Sequence, residues 1–387
     1  MKQIFCAAFI LSFLLFPQCE NADNKKKENN LTILELKGDA YARGFLHGKT
    51  LKPQINTILQ RWKKELESNF HEDFDVVIQT FFEKTTIVDS ITKYCPDLLE
   101  EVRGIASGSE QDFKVMLALQ VSEEIEWAGR DFLSSNCTSM SFSGKSIRPT
   151  IVAQNMDPPL FLHGFPTLLH ITDKNTGNES YVYTFPGFIG LCGMSENVAV
   201  TCNGISMLTH RIDGIPVAFI LRTLLQCNNE TEAFQKVCEL KHATPQCYTI
   251  GGNQEAKCFE CSANSVVEFY PYENQNVTLH TNFAAANADF SAEYIELLSK
   301  YGKTTSDPYF CPRYFLLYDK IKDLGFDLNA ENIKSLLSLT EPVAHPISNQ
   351  WTYGSLIMEM GERPTLYLAP GKPHHTEYLT FQLTGNE

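Results

Sequence analysis

The residues of this sequence with the clearest potential for chemistry surround one cysteine. The polar residues Ser134, Ser135 and Asn136 lead to Cys137, and residues 138–142 follow with the pattern of a strand. A thiol in this position could attack the carbonyl carbon of the preceding residue, form a thioester by an N-to-S acyl shift and be released by water. The freed cysteine would carry a thiol and an α-amino group, whose ordinary pKa of about 8 suits it to accept the thiol proton.

A carboxylate follows at a distance that a hairpin could close. Asp157 ends a β-type run and stands 20 residues after Cys137. A two-stranded hairpin would return it to the cysteine, where it could hold the α-ammonium group. Taken separately, Cys137 is more typical of half a disulfide bond, and Asp157 before Pro158 is more typical of a turn. Taken together, they favour a nucleophile and its supporting carboxylate.

Two amides and one arginine could complete such a site. Asn203 ends a glycine-rich hairpin pattern over residues 187–203, and Asn282 follows an apolar strand pattern. An amide at the end of a strand could donate a hydrogen bond to a developing oxyanion, and losing such a donor costs about 3 kcal/mol in the transition state. Arg313 opens an amphipathic helix, where its alternative interpretation is a surface cation.

The elements that must position these residues change character at Cys137. Apolar residues at three- and four-residue steps predict helices from Asp39 to about Gly129, with a third helix after Pro96 and a fourth over residues 115–128. Later helices are predicted at residues 216–226, 230–240, 292–301, 313–323 and 330–339. Strands are predicted at residues 139–142, 150–154, 181–185, 198–202, 247–250, 266–270, 277–281, 355–359, 365–368 and 378–382.

Composition limits the possible partners. The chain has 387 residues, 43% of them hydrophobic, and a formal net charge of −14 with a pI near 5.2. It can therefore bury one large core or two medium ones, and its negative charge argues against nucleic acid as a partner. The histidines are scattered rather than set at metal-ligand spacing, which disfavours a metalloenzyme. No cofactor is expected.

The N-terminus and the sequons predict export. Residues 1–19 are interpreted as a signal peptide, because an apolar run between Lys2 and Pro17 is too short for a permanent membrane span. Glycosylation triplets begin at Asn30, Asn178, Asn229 and Asn276. Several of the 12 cysteines could form disulfide bonds in an oxidising compartment, while Cys258 and Cys261 are either a disulfide or two packed thiols. A secreted or lysosome-like lumenal location is predicted.

Five segments together resemble one known family. They are residues 38–48, residues 96–108, Asn136-Cys137-Thr138, Gln154-Asn155-Met156-Asp157 and residues 187–203. In this order they are similar to the acyl-coenzyme A:6-aminopenicillanate acyltransferase family of self-processing N-terminal-nucleophile hydrolases. Gln154 stands where the related bile-salt hydrolases and ceramidases usually carry arginine, which favours the acyltransferase-like branch.

The resemblance implies a fold and a set of roles. The fold would be α+β, a four-layer αββα sandwich with a helical segment over residues 20–136 and a catalytic region over residues 137–387. Cleavage after Asn136 would leave two chains of one precursor as partners. The resemblance assigns the nucleophile to Cys137, support of its amine to Asp157, the oxyanion site to Asn282, processing or substrate binding to Arg313, and substrate contacts to Asn203 and Asn155.

The leading functional hypothesis is an amidohydrolase or acyltransferase that acts on the carbon-nitrogen bond of a linear amide through a thioester. Its substrate would be a small acyl amide or a lipid. A second hypothesis is a lysosomal-type lipid amidase or lipase of the acid ceramidase or phospholipase B-like kind. A third is a non-catalytic secreted glycoprotein that binds lipid, which the retention of Cys137, Asp157, Asn282 and Arg313 disfavours.

Overall fold

The computed structural model describes residues 25–28, 30–127, 137–145, 147–174, 177–270, 276–307 and 311–384. Two β-sheets lie face to face in the middle of the molecule, and helices cover the outer face of each sheet. This four-layer arrangement, with helices concentrated in the N-terminal segment, confirms the predicted α+β fold class. The predicted signal peptide and Asn136 lie outside the described residues.

The N-terminal segment is mainly helical. Its helices are α1 (Ala40–Phe70), α2 (Phe74–Lys84), α3 (Ile87–Tyr94), α4 (Pro96–Ser109), α5 (Phe113–Gln120) and α6 (Ser122–Glu126). Helix α1 begins where the Asp39 side chain accepts a hydrogen bond from the backbone N–H of Ala42, at 2.9 Å. The helix deviates from regular geometry at Leu51, two residues before Pro53.

Helices α1 and α4 pack backbone to backbone across small residues. A β-carbon added at Gly44 would lie 1.9 Å from the carbonyl oxygen of Glu101, and one at Gly104 would lie 2.2 Å from that of Tyr41. Any side chain at these positions would force the helices apart. These two glycines therefore set the distance between α1 and α4.

We expect Gly104→Ala to lower the free energy of unfolding by about 1–3 kcal/mol, because overpacking displaces both helices. Urea denaturation of the purified protein measures this. The control is Ser335→Ala at an exposed helical position, which should change stability by less than about 0.5 kcal/mol. Equal stability of the Gly104→Ala and wild-type proteins would contradict the close packing.

A buried ionic cluster joins the N-terminal helices to the rest of the chain. Glu101 on α4 accepts hydrogen bonds from Arg222 at 2.8 and 3.1 Å and from Arg43 at 3.3 Å. All three side chains are at least nine-tenths buried. Burial alone would raise the pKa of Glu101, but the two guanidinium groups hold it below its usual value. Loss of one partner would leave an uncompensated buried charge, so this cluster fixes α4 against the later segment.

The larger sheet contains nine strands in the order β1-β2-β5-β6-β7-β8-β9-β10-β11. Strand β2 pairs in parallel with β5, and the other neighbours are antiparallel. The N-terminal segment thus contributes two strands to a sheet otherwise formed by later residues. The strands are β1 (Lys25–Glu28), β2 (Leu31–Gly38), β5 (Thr167–Asp173), β6 (Glu179–Thr184), β7 (Cys192–Ser195), β8 (Ala199–Gly204), β9 (Gln246–Gly251), β10 (Ala256–Cys261) and β11 (Val266–Phe269).

The smaller sheet contains six antiparallel strands in the order β12-β3-β4-β13-β14-β15. It contains both strands of the hairpin that begins after Cys137. The strands are β3 (Thr138–Phe142), β4 (Thr150–Met156), β12 (Val277–His280), β13 (Gly354–Met360), β14 (Thr365–Ala369) and β15 (Leu379–Gln382).

Two apolar cores follow from the alternation of side chains along the strands. Val152 of β4 belongs to the larger core, whereas its neighbours Ile151 and Ala153 belong to a second core with residues of α10 and α11. Helices α7 and α8 pack on the larger sheet, and α10 and α11 on the smaller one. The later helices are α7 (Val217–Leu224), α8 (Glu230–Glu239), α9 (Ala292–Lys300), α10 (Pro312–Asp323) and α11 (Ala330–Leu337).

The described cysteines are all free thiols, so the structure corrects the expectation of disulfide bonds for this part of the chain. Cys258 and Cys261 are both buried in strand β10, which fits the alternative of two packed thiols. They lie three residues apart on one strand and therefore point to opposite faces of the sheet. No helix among the described residues has the length and apolar character needed to cross a membrane.

Candidate active site

The β3–β4 hairpin brings Cys137 and Asp157 together. Thr138 is paired with Asn155, so the cysteine just before β3 lies beside the residues that follow β4. The Asp157 backbone forms a hydrogen bond with the Cys137 thiol, and both side chains are half-buried. Cys137 and Asp157 also line the same pocket. The hairpin therefore sets a nucleophilic sulfur atom beside a carboxylate at the edge of a cavity.

The surroundings make the thiol of the uncut chain weakly acidic. Burial raises the pKa of Cys137 to about 12, and the negative charge of Asp157 acts in the same direction. Burial also raises the pKa of Asp157, to about 6, although hydrogen bonds from Asn349 and Thr352 oppose this shift. At neutral pH the sulfur is protonated and the carboxylate is mostly ionised. The thiol consequently needs a base, or a nearby positive charge, to become a nucleophile.

The carboxylate of Asp157, whose Oδ1 atom is buried although the residue as a whole is half-buried, should make stability depend on pH. Its folded pKa of about 6 exceeds the ordinary 3.8. The folded state therefore holds this proton more tightly, and stability from this group is complete below about pH 4 and lost as pH rises through 6. In a Cys137→Ala background, which removes the neighbouring thiol, Asp157→Asn should raise the free energy of unfolding by about 3 kcal/mol more at pH 7.5 than at pH 4. Denaturant titrations at both pH values measure this, and an equal effect at both would contradict the shifted pKa.

Arg313 connects the nucleophile to Asn282. Its Nη1 atom donates to the Cys137 carbonyl oxygen at 3.1 Å and to the Thr138 hydroxyl at 2.7 Å, and its Nη2 atom donates to Asn282 Oδ1 at 3.2 Å. Arg313 is 6% exposed and lies in the first turn of α10. The surface-cation alternative is therefore wrong. The Asn282 side chain lines the pocket, and its Nδ2 atom donates to the Gly204 carbonyl oxygen at 3.1 Å.

Asn203 and Gln154 form a buried layer behind the pocket. Gln154 Nε2 donates to Asn203 Oδ1 at 3.4 Å and also to the Cys202 carbonyl oxygen. Gln154 Oε1 accepts a hydrogen bond from the Cys192 thiol at 2.7 Å. Gln154, Cys192 and Cys202 line the pocket. Asn203 is fully buried and supports this wall from behind instead of facing the cavity.

Asn155 lies on the wrong side of the sheet for the predicted substrate contact. Its Nδ2 atom donates to the carbonyl oxygens of Leu337 and Ile347 at 2.8 and 3.1 Å. Adjacent strand residues point to opposite faces, so Gln154 faces the pocket while Asn155 faces α11. The structure thus corrects this assignment, and Asn155 ties β4 to the end of α11.

Asn349 is a site residue that sequence reasoning missed. Its Nδ2 atom donates to Asp157 Oδ2 at 2.6 Å, and its Oδ1 atom accepts from the backbone N–H of Trp351 at 2.7 Å. Trp351 lines the pocket. Asn349 lies in an irregular segment before β13, where one asparagine among several polar residues carries no pattern that could have singled it out.

The pocket has a volume of about 610 Å³ and two chemically different walls. Apolar residues form one wall, and carboxylates and amides form much of the other. None of the described lining residues is basic. The apolar lining includes Met156, Leu160, Leu162, Phe185, Phe188, Leu191, Val217 and Trp351, and the acidic lining comprises Glu65, Glu123, Glu126 and Asp157. Phe161, in contrast, is buried against Trp62 in the core.

The N-terminal helices hold one wall of the pocket in place. Gln120 Nε2 donates to the Gly187 carbonyl oxygen at 2.7 Å, and Gln120 Oε1 accepts from the Ile189 backbone N–H at 2.8 Å. His47 Nε2 accepts from the Gly187 backbone N–H at 2.9 Å. Burial lowers the pKa of His47 to about 4, which keeps the imidazole neutral and able to accept. Phe188 lies between these contacts and lines the pocket.

The four predicted glycosylation asparagines are all in the described part of the chain. Asn30 and Asn229 are exposed, and Asn178 and Asn276 are half-buried. Asn229 also caps α8, since its Oδ1 atom accepts from the Glu232 backbone N–H at 2.9 Å. That contact leaves the Nδ2 atom, to which a glycan would be attached, outside the cap.

Comparison with known proteins supports the family inferred from the motifs. Residues 166–300 match the model of the acyl-coenzyme A:6-aminopenicillanic acid acyl-transferase family. The Emericella nidulans acyl-coenzyme A:6-aminopenicillanic-acid-acyltransferase 40 kDa form is 26% identical over 350 residues, which cover 88% of each chain. The chain is thus similar to this acyltransferase family in its central segment and to one of its enzymes over most of its length. The resemblance predicted from the sequence is thereby confirmed at the level of the family.

Other proteins that resemble this chain are less completely aligned. The Dictyostelium discoideum protein dcd1B is 26% identical over 276 residues, 62% of this chain and 52% of that protein. Protein dcd1A of the same organism is 25% identical over 59% of this chain and 57% of its own length. The chain thus spans little more than half the length of these two relatives. A solved Caenorhabditis elegans N-acylethanolamine-hydrolyzing acid amidase ortholog covers 64% of this chain and 100% of its own, with 20% identity and a TM-score of 0.41.

Proposed function

We propose that this protein is a self-processing cysteine N-terminal-nucleophile enzyme that cleaves or transfers the acyl group of a linear amide. The observation that carries the proposal is the convergence of the Cys137 thiol, the Asp157 carboxylate and the Asn282 amide on one pocket. The relationship to an acyltransferase family supports an enzyme, while the amide specificity and the self-cleavage are our inference. The active form would consist of two fragments separated between Asn136 and Cys137.

Maturation would begin at the uncut peptide bond. The ionised Asp157 carboxylate, beside the thiol, would serve as the base for its proton, and the sulfur would attack the Asn136 carbonyl carbon. The carbon-nitrogen bond would then break as the Cys137 nitrogen takes a proton, leaving a thioester. Water would hydrolyse the thioester, which frees the Asn136 carboxylate and the Cys137 thiol. Arg313 would hold the Cys137 carbonyl group during these steps.

The new N-terminus would change the acidity of the thiol. A positively charged α-ammonium group one bond from the cysteine Cα would favour the thiolate and oppose the effects of burial and Asp157. The carboxylate of Asp157 would in turn stabilise that ammonium group. After it has lost its proton, the amine could take up the proton of the thiol. A residue with a thiol pKa of about 12 in the uncut chain would thus become a usable nucleophile near neutral pH.

In the amidase reaction, sulfur would attack the substrate carbonyl and form a tetrahedral oxyanion. Asn282 lines the pocket, and its Nδ2 atom, which donates one hydrogen to the Gly204 carbonyl oxygen, would donate the other to that oxyanion. The α-ammonium group would protonate the leaving amine, and the acyl group would remain on Cys137 as a thioester. Water would release a carboxylic acid, or a second amine would receive the acyl group. Both outcomes regenerate the thiol.

The pocket favours a substrate with an apolar acyl group. Phe185, Phe188, Leu160 and Trp351 offer an apolar wall within a cavity of about 610 Å³, large enough for a medium-sized ligand. This wall also supports the second candidate, a lipid amidase, because a longer chain could leave the cavity at the exposed edge near Leu160. We propose in addition that the protein enters the secretory pathway, on the basis of residues 1–19 and the exposed sequons at Asn30 and Asn229.

Denaturing electrophoresis with N-terminal sequencing tests the proposal directly. We expect the purified protein to yield a large fragment that begins Cys137-Thr138-Ser139 and to hydrolyse the p-nitroanilide of dodecanoic acid. A protein that stays uncut and turns over no amide would instead support the non-catalytic lipid-binding alternative. Turnover by a fully uncut chain would reject the self-processing mechanism while retaining the enzyme.

A further inference from the structure

The side chain of Glu260 is fully buried and makes an unusual set of contacts next to the site. This glutamate lies on β10. Its Oε1 atom accepts from the Ala285 backbone N–H at 2.8 Å, and its Oε2 atom accepts from those of Ala286 and Asn287 at 2.9 and 2.7 Å. Three consecutive N–H groups therefore point at a single carboxylate. The segment that they belong to begins directly after Asn282 and Phe283.

The Glu260 carboxylate also contacts His280, which precedes Asn282 in the chain. His280, the last residue of β12, has its Nε2 atom 2.9 Å from Glu260 Oε1, and its ring is fully buried. The imidazole stacks on Phe283 with an angle of 7° between the ring planes. Glu260 thus fixes the chain two residues before Asn282 and three residues after it. These contacts on both sides restrict the backbone conformation around Asn282.

The opposite charges of Glu260 and His280 strengthen these contacts. Burial alone would raise the pKa of Glu260, but the hydrogen bond and charge of His280, together with backbone N–H donors, hold it below its usual value. Burial acts to lower the pKa of His280, yet its hydrogen bond to Glu260 raises it above the usual value. The contact is accordingly an ion pair in a dry environment, where charge-assisted hydrogen bonds are strong.

We propose that Glu260 is a positioning residue for the reaction, which aims the Asn282 amide at the oxyanion by holding residues 280–287. This inference rests on the proposed function, because it assumes that Cys137 forms an acyl intermediate. A donor misplaced by a fraction of an ångström loses much of its effect on a transition state while still allowing substrate to bind. Glu260 itself touches neither the substrate nor the sulfur.

The first test compares the wild type with Glu260→Gln, which keeps the size of the side chain but replaces one accepting oxygen by an NH₂ group. With dodecanoyl p-nitroanilide as substrate, we expect kcat to fall about 10- to 100-fold and KM to change less than about threefold. Alkylation of Cys137 by iodoacetamide should change by less than about twofold, because that reaction forms no oxyanion. A structural role alone would impair both reactions together.

Two further variants sharpen the result. If Glu260 acts through Asn282, the Glu260→Gln change should reduce kcat less than about twofold in an Asn282→Ala background. Glu230→Gln is the matched control, since Glu230 is also buried and accepts from a backbone N–H, that of Gln254 at 3.0 Å, outside the pocket. We expect its kcat to equal that of the wild type. Should Glu260→Gln fail to fold, His280→Gln weakens the same ion pair and should lower kcat about 3- to 10-fold.

The possible failures are distinguishable. An unchanged kcat in Glu260→Gln, an equal loss of turnover and of alkylation, or a full additional loss in the Asn282→Ala background would overturn the positioning role alone. A wild-type protein whose amide turnover does not depend on Cys137 would overturn the proposed function and this inference with it.

Discussion

Cys137→Ala should leave the chain in one piece and lower amide turnover by about 10⁴-fold or more. Without the sulfur atom no thioester can form, either with the Asn136 carbonyl or with a substrate. The alanine variant should still fold, because a methyl group replaces a half-buried thiol just before β3. Mass spectrometry of the intact protein measures the cleavage, and dodecanoyl p-nitroanilide measures the turnover.

The matched control for this prediction is Cys227→Ala. Cys227 is also a free thiol, but it is buried after α7 and does not line the pocket. We expect this variant to be cut before Cys137 and to retain wild-type kcat. Cleavage at the same bond in the Cys137→Ala protein would show that a protease performs it, and retained turnover would exclude Cys137 as the nucleophile.

The second large effect is expected at Arg313. Replacement by lysine should reduce kcat at least about 10²-fold, and replacement by methionine still further. The planar guanidinium group holds the carbonyl oxygen of Cys137, the hydroxyl of Thr138 and the amide of Asn282 simultaneously. A lysine ammonium group presents one nitrogen and cannot reach both the nucleophile and the oxyanion donor. Steady-state kinetics on protein first shown to be folded by circular dichroism measures the effect.

Loss of Arg313 should also alter the pH dependence. Its positive charge lowers the pKa of Asp157, so the methionine variant should have a higher Asp157 pKa. If the carboxylate must be ionised for processing, the rise of the processing rate with pH should move to higher pH. Arg211→Met is the control, because Arg211 also forms a two-nitrogen pair, with Asp213, on the surface. A methionine variant with an unshifted pH profile would contradict the electrostatic part of the argument.

The sequence predicted the elements whose signals are local. Strands β3 and β4 alternate or cluster β-branched and small residues between polar turns, so their pairing as a hairpin, and the approach of Asp157 to Cys137, could be anticipated. Helix α8 was likewise recognisable from its N-cap, Asn229. The segments around Gly44 and Gly104 can also be recognised in the sequence. Their close contact between α1 and α4 is evident only in the folded structure.

The sequence could not reveal features that depend on distant residues. Strand β2 pairs in parallel with β5, which lies more than a hundred residues later, and no local pattern in β2 indicates this pairing. Asn349 reaches Asp157 only because the segment before β13 lies beside β4. The family resemblance implies a substrate contact for Asn155, which lies next to Gln154 in the sequence. Neighbouring residues of a strand point to opposite faces of the sheet, and the motif does not indicate which face lines the pocket.

The pairing of β2 with β5 joins the two fragments that the proposed cleavage would produce. Residues on both sides of the Asn136–Cys137 bond belong to one sheet and share the Glu101–Arg222 ion pair. Breaking that bond would therefore create an obligate heterodimer without any assembly step, since both partners acquire their shape together before the backbone is severed. Each half would lack strands and ion-pair partners that the other half supplies, so synthesis as one polypeptide would be the means by which the subunits meet.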